Sequence, residues 1–328
     1  MLSFNFESSR AERSGSGNAL MPYFYDKEPS DPSTYDYTFA CVGDTQTLVK
    51  YYPEEVHCIY DCILENADEM KIARVIGLGD MTDDNTDDQW QTVSEQVFRL
   101  DGKIPYTVIR GNHDHYARTP EAEATKELMF GNYFDNATYR SQYDGSYDGT
   151  PANVYKRFEV CGIPYLLLCL DYGPDDDVLD WAGNVADSYP QDNVIVVTHA
   201  FLFHDGTTID GQDICPPTCD GGSNDCDAMW DKFVSKHANI VLVLCGHDPS
   251  DEIVVSKMTG DAGNTVTCCL INPQHTDRYN RASGLVAFLH FSDGGRRITV
   301  ENYSTVQGKY YKTHNEITVT GVDVLSYR

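Results

Sequence analysis

The sequence has little positive charge. Lys and Arg together number 24 against 51 Asp and Glu, a formal net charge of −27 at pH 7. A solubility or habitat signature is the favoured explanation for most of this excess. Nucleic acids and anionic membranes normally meet a basic surface, so neither is expected as a partner. The same field repels phosphate unless bound cations reverse its sign locally. Any phosphate chemistry in this chain therefore requires a metal site.

Long hydrophobic runs are also missing. No apolar stretch approaches the ~18 residues of a membrane span, so none is predicted. The amino terminus lacks the basic and apolar regions of a signal peptide. Residues 1–36 are rich in Ser, Gly, Pro and acidic residues and are predicted to form a leader or linker. A longer precursor that begins upstream of Met1 would leave export of the protein an open question.

The cysteines offer no clean disulfide framework, because their total of eleven is odd. Most lie in apolar, strand-like runs, where cysteine acts as a small core residue. Cys215, Cys219 and Cys226 form a polar cluster without a clear fourth metal ligand. A disulfide-braced lid is favoured over a zinc site there, and a loop of free thiols is an equal alternative.

What the chain does contain is enough apolar material for a sizeable core. Of its 328 residues, 41% are hydrophobic and 12% aromatic, as in a globular protein. The length allows one large domain or two smaller ones. Neither an internal repeat nor a second core is visible, so we expect a single domain over residues 37–328, with an inserted loop at about 204–226.

Strands and helices alternate in the first third of that domain. The predicted strands are 37–42, 73–78 and 104–109, and the predicted helices are 53–70 and 88–100. Such alternation indicates a mainly parallel sheet with helices on both faces. Later strands are predicted at 154–160, 163–170, 193–197, 240–244, 264–271, 284–291, 297–303 and 315–320, with helices near 179–181 and 228–237.

Polar side chains follow five of these strands within a few residues: Asp44, Asp80, Asn112 with His113, His199, and His247. In open α/β sheets the carboxyl ends of the strands form the ligand-binding edge, so we expect these side chains to converge. Mixed carboxylate, amide and imidazole donors suit Mn, Fe or Zn. The pattern predicts a metal site.

The motifs are specific. Gly43-Asp44-Thr45-Gln46, Gly79-Asp80, Gly111-Asn112-His113-Asp114, Thr198-His199 and Gly246-His247 resemble the calcineurin-like metallophosphoesterase family, in its order, over roughly residues 37–304. The Asp-Thr-Gln variant is similar to a bacterial, often exported branch. The resemblance implies an α/β fold, a four-layer α/β/β/α sandwich with two mixed sheets.

The resemblance also implies roles. Asp80 would bridge two metals, and Asn112, His199 and His247 would complete one site. Asp44 would bind the other metal, with Gln46 in its second ligand position. His113 would be the general acid, oriented by Asp114. Two transition metals (Mn, Fe or Zn), about 3.5–4 Å apart, could polarise the phosphoryl oxygens and activate a water molecule.

Two departures from the family pattern affect the same metal. The usual Asp-x-His has Gln46 in place of the imidazole, and the usual Gly-His-x-His ends here in Pro249. An amide is a weaker donor than imidazole, so the Asp44/Gln46 site should be weak or empty, or prefer a harder ion. Asp248, Gln274 and His275 are the candidate replacement ligands, and the sequence does not choose among them.

The sequence therefore predicts a metal-dependent phosphoester hydrolase acting on a small phosphomonoester or phosphodiester. The alternative is a catalytically weakened or inactive metal/phosphate-binding module that lost part of one site through Gln46 and Pro249.

Loops at 116–152 and 204–226 would select the substrate, and His204 is a candidate contact. The family branch implies a bacterial secreted or surface protein if an upstream signal was removed, and a cytoplasmic one otherwise. Oligomeric state is not predicted.

Overall fold

The computed structural model describes residues 24–115, 126–213, 215–220, 222–250, 253–272, 274, 282–311, 316–320 and 322–324. The α-helices in these ranges are α1 (Gln46–Tyr51), α2 (His57–Glu65), α3 (Asp87–Val97), α4 (Lys126–Phe134), α5 (Ala137–Arg140), α6 (Asp176–Ser188) and α7 (Cys226–Lys232). Short 3₁₀ turns lie at Pro32–Thr34, Pro53–Glu55, Phe98–Leu100, Pro217–Asp220 and Val234–Lys236.

The strands fall into two mixed sheets. They are β1 (Phe24–Tyr25), β2 (Tyr37–Val42), β3 (Ile72–Gly77), β4 (Tyr106–Thr107), β5 (Gly145–Ser146), β6 (Val154–Val160), β7 (Ile163–Cys169), β8 (Asn193–Val197), β9 (Ile240–Cys245), β10 (Val254–Thr259), β11 (Thr265–Leu270), β12 (Leu285–Ser292), β13 (Arg297–Ser304), β14 (Lys309–Tyr311) and β15 (Glu316–Thr320).

The first sheet has the order β1-β14-β13-β12-β2-β3-β4, with β15 pairing to β13. Strands β2, β3 and β4 are mutually parallel, as their strand–helix alternation predicts, and β12 pairs antiparallel to β2. The second sheet has the order β10-β11-β9-β8-β7-β6-β5. Its centre, β7, β8, β9 and β11, is parallel.

Three apolar clusters define four layers. One lies between the first sheet and α1–α5, one between the two sheets, and one between the second sheet and α6 and α7. Strand β2 shows why its sequence is apolar throughout: Phe39 and Cys41 face the other sheet, whereas Ala40 and Val42 face the helices. A strand covered on both faces needs apolar residues at every position. The predicted four-layer fold is confirmed.

Several local predictions were wrong. Residues 24–36 are not wholly linker, because β1 pairs with β14 and Lys27 and Ser30 contact Glu301 in β13. The predicted helix 53–70 is a 3₁₀ turn followed by the shorter α2, and the strand predicted at 104–109 is only Tyr106–Thr107. Residues 126–140, expected to be irregular, form α4 and α5.

In the inserted loop, Cys226 is a buried free thiol at the start of α7, which argues against a disulfide brace through that residue. The side chain of Cys219 lies outside the described part of the chain. As for membranes, no helix within the described ranges combines the length and apolar character that a bilayer crossing requires.

Candidate metal centre

The five predicted strand-end positions do meet. Asp44, Asp80 and Asn112 follow β2, β3 and β4 of the first sheet, and His199 and His247 follow β8 and β9 of the second. One ligand atom each from Asp44, Asp80 and His199 lies within 4.8 Å of the others, and all three residues are buried. Asn112 Oδ1 is 3.2 Å from His199 Nε2 and 3.0 Å from His247 Nδ1. The site therefore bridges the carboxyl ends of both sheets.

The backbone is bent sharply where these side chains leave the strands. Asp44, Asp80 and His247 have φ of 54°, 49° and 72°, in the left-handed region. Asp and His tolerate that region better than most residues, but it still stores strain that tends to occur at functional sites. Two glycines permit the close approach: a Cβ on Gly111 would lie 2.2 Å from Asp80 Oδ1, and one on Gly246 would lie 2.1 Å from Asp44 Oδ2.

Backbone carbonyls set the orientation of both histidines. His199 Nδ1 donates to Leu78 O at 2.8 Å, which directs Nε2 towards Asp80 and Asn112. His247 Nε2 lies 2.8 Å from Cys215 O, which directs Nδ1 towards Asn112. Such partners on the far nitrogen are typical of metal-ligating histidines, because they fix the tautomer and the ring orientation.

Two orphaned oxygens show that the residues fit a cation. Asp44 Oδ2 and Gln46 Oε1 are buried, and neither has a hydrogen-bond partner in the described part of the chain. Burial, together with the negative charge of Asp80, raises the pKa of Asp44 well above its usual range, although His199, His113 and the backbone N–H of His247 act to lower it. An unpaired buried carboxylate is costly unless a cation accompanies it. The donor set and these oxygens together match a divalent metal site.

The histidines and carboxylates of the centre shift one another's pKa values. Burial disfavours protonation of His199, but the carboxylates of Asp80 and Asp44 outweigh it and raise its pKa to about 9. Burial acts to raise the pKa of Asp80, yet His199, His113 and His247 together hold it below its usual value. Because an imidazole must lose its proton to ligate, metal binding here competes with protons.

The residues that depart from the family pattern, and their candidate replacements, concern the Asp44 side of the centre. Gln46 begins α1, and its Nε2 donates to Asp80 Oδ2 at 2.9 Å and to Gln274 Oε1 at 3.1 Å. Asp248 instead accepts from the backbone N–H of His204 at 2.6 Å and lies 3.0 Å from its Nδ1. Of the three candidate replacement ligands, Gln274 is thus beside the centre, Asp248 is engaged with His204, and His275 lies outside the described residues.

His113 is oriented by Asp83, not by Asp114 as expected. Its Nδ1 is 3.0 Å from Asp83 O and 3.2 Å from Asp83 Oδ1, and Asp83 in turn forms an ion pair with Lys50 of α1. Burial opposes protonation of His113, but Asp83 and Asp80 outweigh it and raise its pKa to about 10. Asp83 is itself buried, with only 7% of its surface exposed.

Asp114 has a structural role. Its carboxylate accepts from the N–H groups of Met81, Thr82 and Gly111 at 3.1, 2.8 and 2.9 Å, and from Thr82 Oγ1 at 2.9 Å. It therefore ties the loop after β3 to the loop after β4. This arrangement holds Asp80 and Asn112 in position. The role predicted for Asp114, orienting His113, was wrong.

A cavity of about 900 Å³ lies beside the centre. Arg110 and His115, which flank the Gly111–Asp114 motif, both bind Asp171 in its wall, and the ring of Tyr172 packs against His199 and His247. The pairing of Arg110 with Asp171 was missed, because 61 positions separate them.

A model of one protein family matches the chain. The calcineurin-like phosphoesterase model aligns with residues 37–251, more than half of the sequence. The chain belongs to this family. The predicted family is thereby confirmed, and membership of it implies divalent metal ions.

Two relatives show how far the likeness extends. The uncharacterised protein YvnB of Bacillus subtilis (strain 168) is 26% identical over 291 residues, which is 86% of this chain but only 21% of that protein. The purple acid phosphatase PPD1 from yellow lupin (Lupinus luteus) has a similar fold, with a TM-score of 0.53 and 11% identity over 89% of this chain and 55% of that one. The chain thus spans about a fifth of its curated relative and about half of the plant phosphatase chain.

Proposed function

We propose that this chain hydrolyses a small phosphomonoester or phosphodiester at a dinuclear metal centre, with His113 protonating the leaving group. The observation that carries the proposal is the meeting of Asp44, Asp80, Asn112, His199 and His247 at one sheet edge, with two buried oxygens left for a cation. Two divalent cations bound there would supply Lewis-acid activation of the phosphoryl group and of water.

The side chains divide the remaining work. Asp80 lies between the Gln46 side and the His199 side of the centre, as a bridging carboxylate would. Asn112 Oδ1 sits between the two imidazoles and would complete their metal site. His113 is held at Nδ1 by Asp83, so Nε2 is the nitrogen that would donate to the leaving oxygen. A positioned acid of this kind contributes about 10²–10⁴-fold to rate.

A binding module without turnover is the second candidate. The amide of Gln46, rather than an imidazole, contacts Asp80, so one half of the centre is altered. The cavity beside the centre would then hold a phosphorylated ligand without cleaving it. The two candidates differ in a single measurable respect, which is the release of product.

Hydrolysis of a chromogenic phosphomonoester and the matching phosphodiester, with added Mn²⁺, tests the proposal. We expect turnover that Asp80→Asn reduces together with metal content, and that His113→Ala reduces by about 10²-fold with metal content unchanged. His57→Ala, on the exposed surface of α2, is the matched control. Full activity in His113→Ala would refute the assigned acid, and no turnover with any divalent metal would favour the binding module.

A further inference from the structure

The last motif of the chain lacks one metal ligand of the family pattern, because Pro249 stands in place of the second histidine, after His247 and Asp248. Gln274 reaches the centre from elsewhere, beyond the end of β11. Its Oε1 accepts from Gln46 Nε2 at 3.1 Å, and the same nitrogen donates to Asp80 Oδ2 at 2.9 Å. Gln274 is therefore separated from the bridging carboxylate by one amide group.

We propose that Gln274 is a metal ligand, and that Asp44, Gln46, Asp80 and Gln274 form an oxygen-only site selective for a hard divalent cation. The second site, Asn112, His199 and His247 with Asp80, keeps two imidazoles and takes a softer ion. The proposal rests on the dinuclear centre proposed above, and it adds a ligand and a division of labour between two unlike metals.

Gln274 is held in place from two directions. Thr47 Oγ1, one residue after Gln46, donates to Gln274 O at 3.0 Å. Gln274 N donates to Asn272 Oδ1 at 3.1 Å, and Asn272 Nδ2 donates to His247 O at 2.8 Å. The residue is thus linked both to the first motif and to the histidine loop of the second sheet, as a ligand needs to be in order to bind without a large ordering cost.

The buried oxygens around Gln46 call for a cation. Gln46 directs its N–H₂ group between two acceptors, Asp80 Oδ2 and Gln274 Oε1, while its own Oε1 and Asp44 Oδ2 have no hydrogen-bond partner among the described residues. The partly positive amide nitrogen thus bridges Asp80 Oδ2 and Gln274 Oε1, two oxygens that a cation between them would also satisfy. Amide oxygen and nitrogen are nearly the same size, so a half-turn of the Gln46 amide would present Oε1 instead.

The donor atoms determine which metal ion each half of the centre prefers. Carboxylate and carbonyl oxygens suit Mg²⁺, Ca²⁺ and Mn²⁺, whereas imidazole suits Zn²⁺ and iron. Among the described residues, Asp44, Gln46 and Gln274 offer carboxylate and amide oxygens, whereas His199 and His247 offer ring nitrogens, and a ring nitrogen of His199 lies within 4.8 Å of an Asp44 carboxylate oxygen. Asp248, which would have added a further charge, is turned to His204. The two sites should therefore discriminate between a mixture of hard and soft ions.

The test measures metal binding, without activity. The full chain is stripped with chelator, given equal Mn²⁺ and Zn²⁺, and assayed by elemental analysis, by Mn²⁺ electron paramagnetic resonance and by calorimetric titration. We expect one Zn²⁺ and one Mn²⁺ per chain. Gln274→Ala should weaken Mn²⁺ binding at least tenfold and leave one Zn²⁺ bound, and Gln274→His should raise Zn²⁺ uptake to two. Gln91→Ala, an exposed glutamine of α3, is the matched control.

Three results would overturn the proposal: Mn²⁺ affinity unchanged in Gln274→Ala, two Zn²⁺ bound by the unaltered chain in preference to Mn²⁺, or a single ion under all conditions. If Gln274→Ala does not fold, Gln274→Glu decides, since an added carboxylate should tighten Mn²⁺ binding and no change would refute the ligand role. A chain that binds both ions but hydrolyses nothing would refute the proposed function and leave this inference standing.

Discussion

At the scale of single residues, the loop after β3 supplies two carboxylates with different roles. Asp80 faces the metal site, and Asp83, three positions on, turns back to His113. Lys50 of α1 binds both Asp83 and Asp84, which anchors the loop to the first helix. Protonation and orientation of the proposed acid thus depend on a residue outside the metal ligands.

Replacing Asp83 with Asn should lower kcat about 10- to 100-fold, because the ring of His113 loses the carboxylate that orients it and favours its protonated form. Metal content should not change, since Asp83 is not a ligand. Steady-state kinetics with elemental analysis measures both effects. Asp84→Asn is the matched control, because Asp84 lies in the same loop and binds Lys50 and Gln89. Equal losses in the two variants would mean that Asp83 acts only through loop stability.

At the scale of elements, a buried charged network joins the first sheet to the segment before it. Glu301 of β13 is 1% exposed and accepts from Lys27 Nζ at 2.5 Å and from Ser30 Oγ at 2.7 Å, and its Oε2 is 3.3 Å from His290 Nε2 in β12. Burial acts to raise its pKa, but His290, Lys27 and Ser30 outweigh it and lower the pKa to about 2. The segment at 24–36 is therefore part of the folded domain.

This pKa predicts how stability responds to acid. Since the folded value lies below the usual 4.5, the contribution of Glu301 is fully present above pH 4.5 and is lost as the pH falls to about 2. The shift corresponds to roughly 3 kcal/mol. Glu301→Gln should lower the free energy of unfolding at pH 7 by about 1–3 kcal/mol. Its stability should also fall less than that of the unaltered chain between pH 4.5 and 2.

Chemical denaturation at pH 7, 4 and 2.5 measures this difference. Glu28→Gln, an exposed neighbour, is the control and should leave the profile unchanged. Parallel loss of stability with pH in Glu301→Gln and the unaltered chain would show that other carboxylates govern acid unfolding.

At the scale of the whole molecule, the charge of −27 opposes the approach of any anionic substrate. Cations at the proposed centre would act only at short range, whereas the overall field acts over the Debye length, which is about 30 Å at 0.01 M salt and about 8 Å at 0.15 M. Screening should therefore help a doubly charged phosphomonoester to reach the centre.

We expect kcat/KM for such a monoester to rise about two- to threefold between 10 and 150 mM salt. The rise should be smaller for a singly charged phosphodiester, because the repulsion it meets is weaker. Stopped-flow or initial-rate kinetics in NaCl, repeated in potassium acetate to exclude a chloride effect, measures it. A fall in kcat/KM with salt would mean that the metal centre, not the acidic surface, controls the field along the entry path.

Much of the architecture followed from local pattern. Strands β2 and β8 begin and end where their apolar runs do, because both faces of each strand are covered. The prediction of one helix over 53–70 failed because the apolar spacing runs through a 3₁₀ turn at Pro53–Glu55 and continues past the end of α2 at Glu65. Residues 24–36 looked like a linker because the partners of Lys27 and Ser30 are about 270 positions away.

The sequence by itself determined the family, the sheet-edge location of the site and the residues brought to it, because a polar residue just past a buried strand can lie only at that strand's carboxyl end. Only the tertiary structure decided which side chains touch. It placed Asp83 rather than Asp114 at His113, and Gln274 rather than Asp248 at Gln46. Those choices depend on the direction of each side chain across turns with left-handed backbone, and on contacts between two sheets, neither of which is encoded in the spacing of residues along the chain.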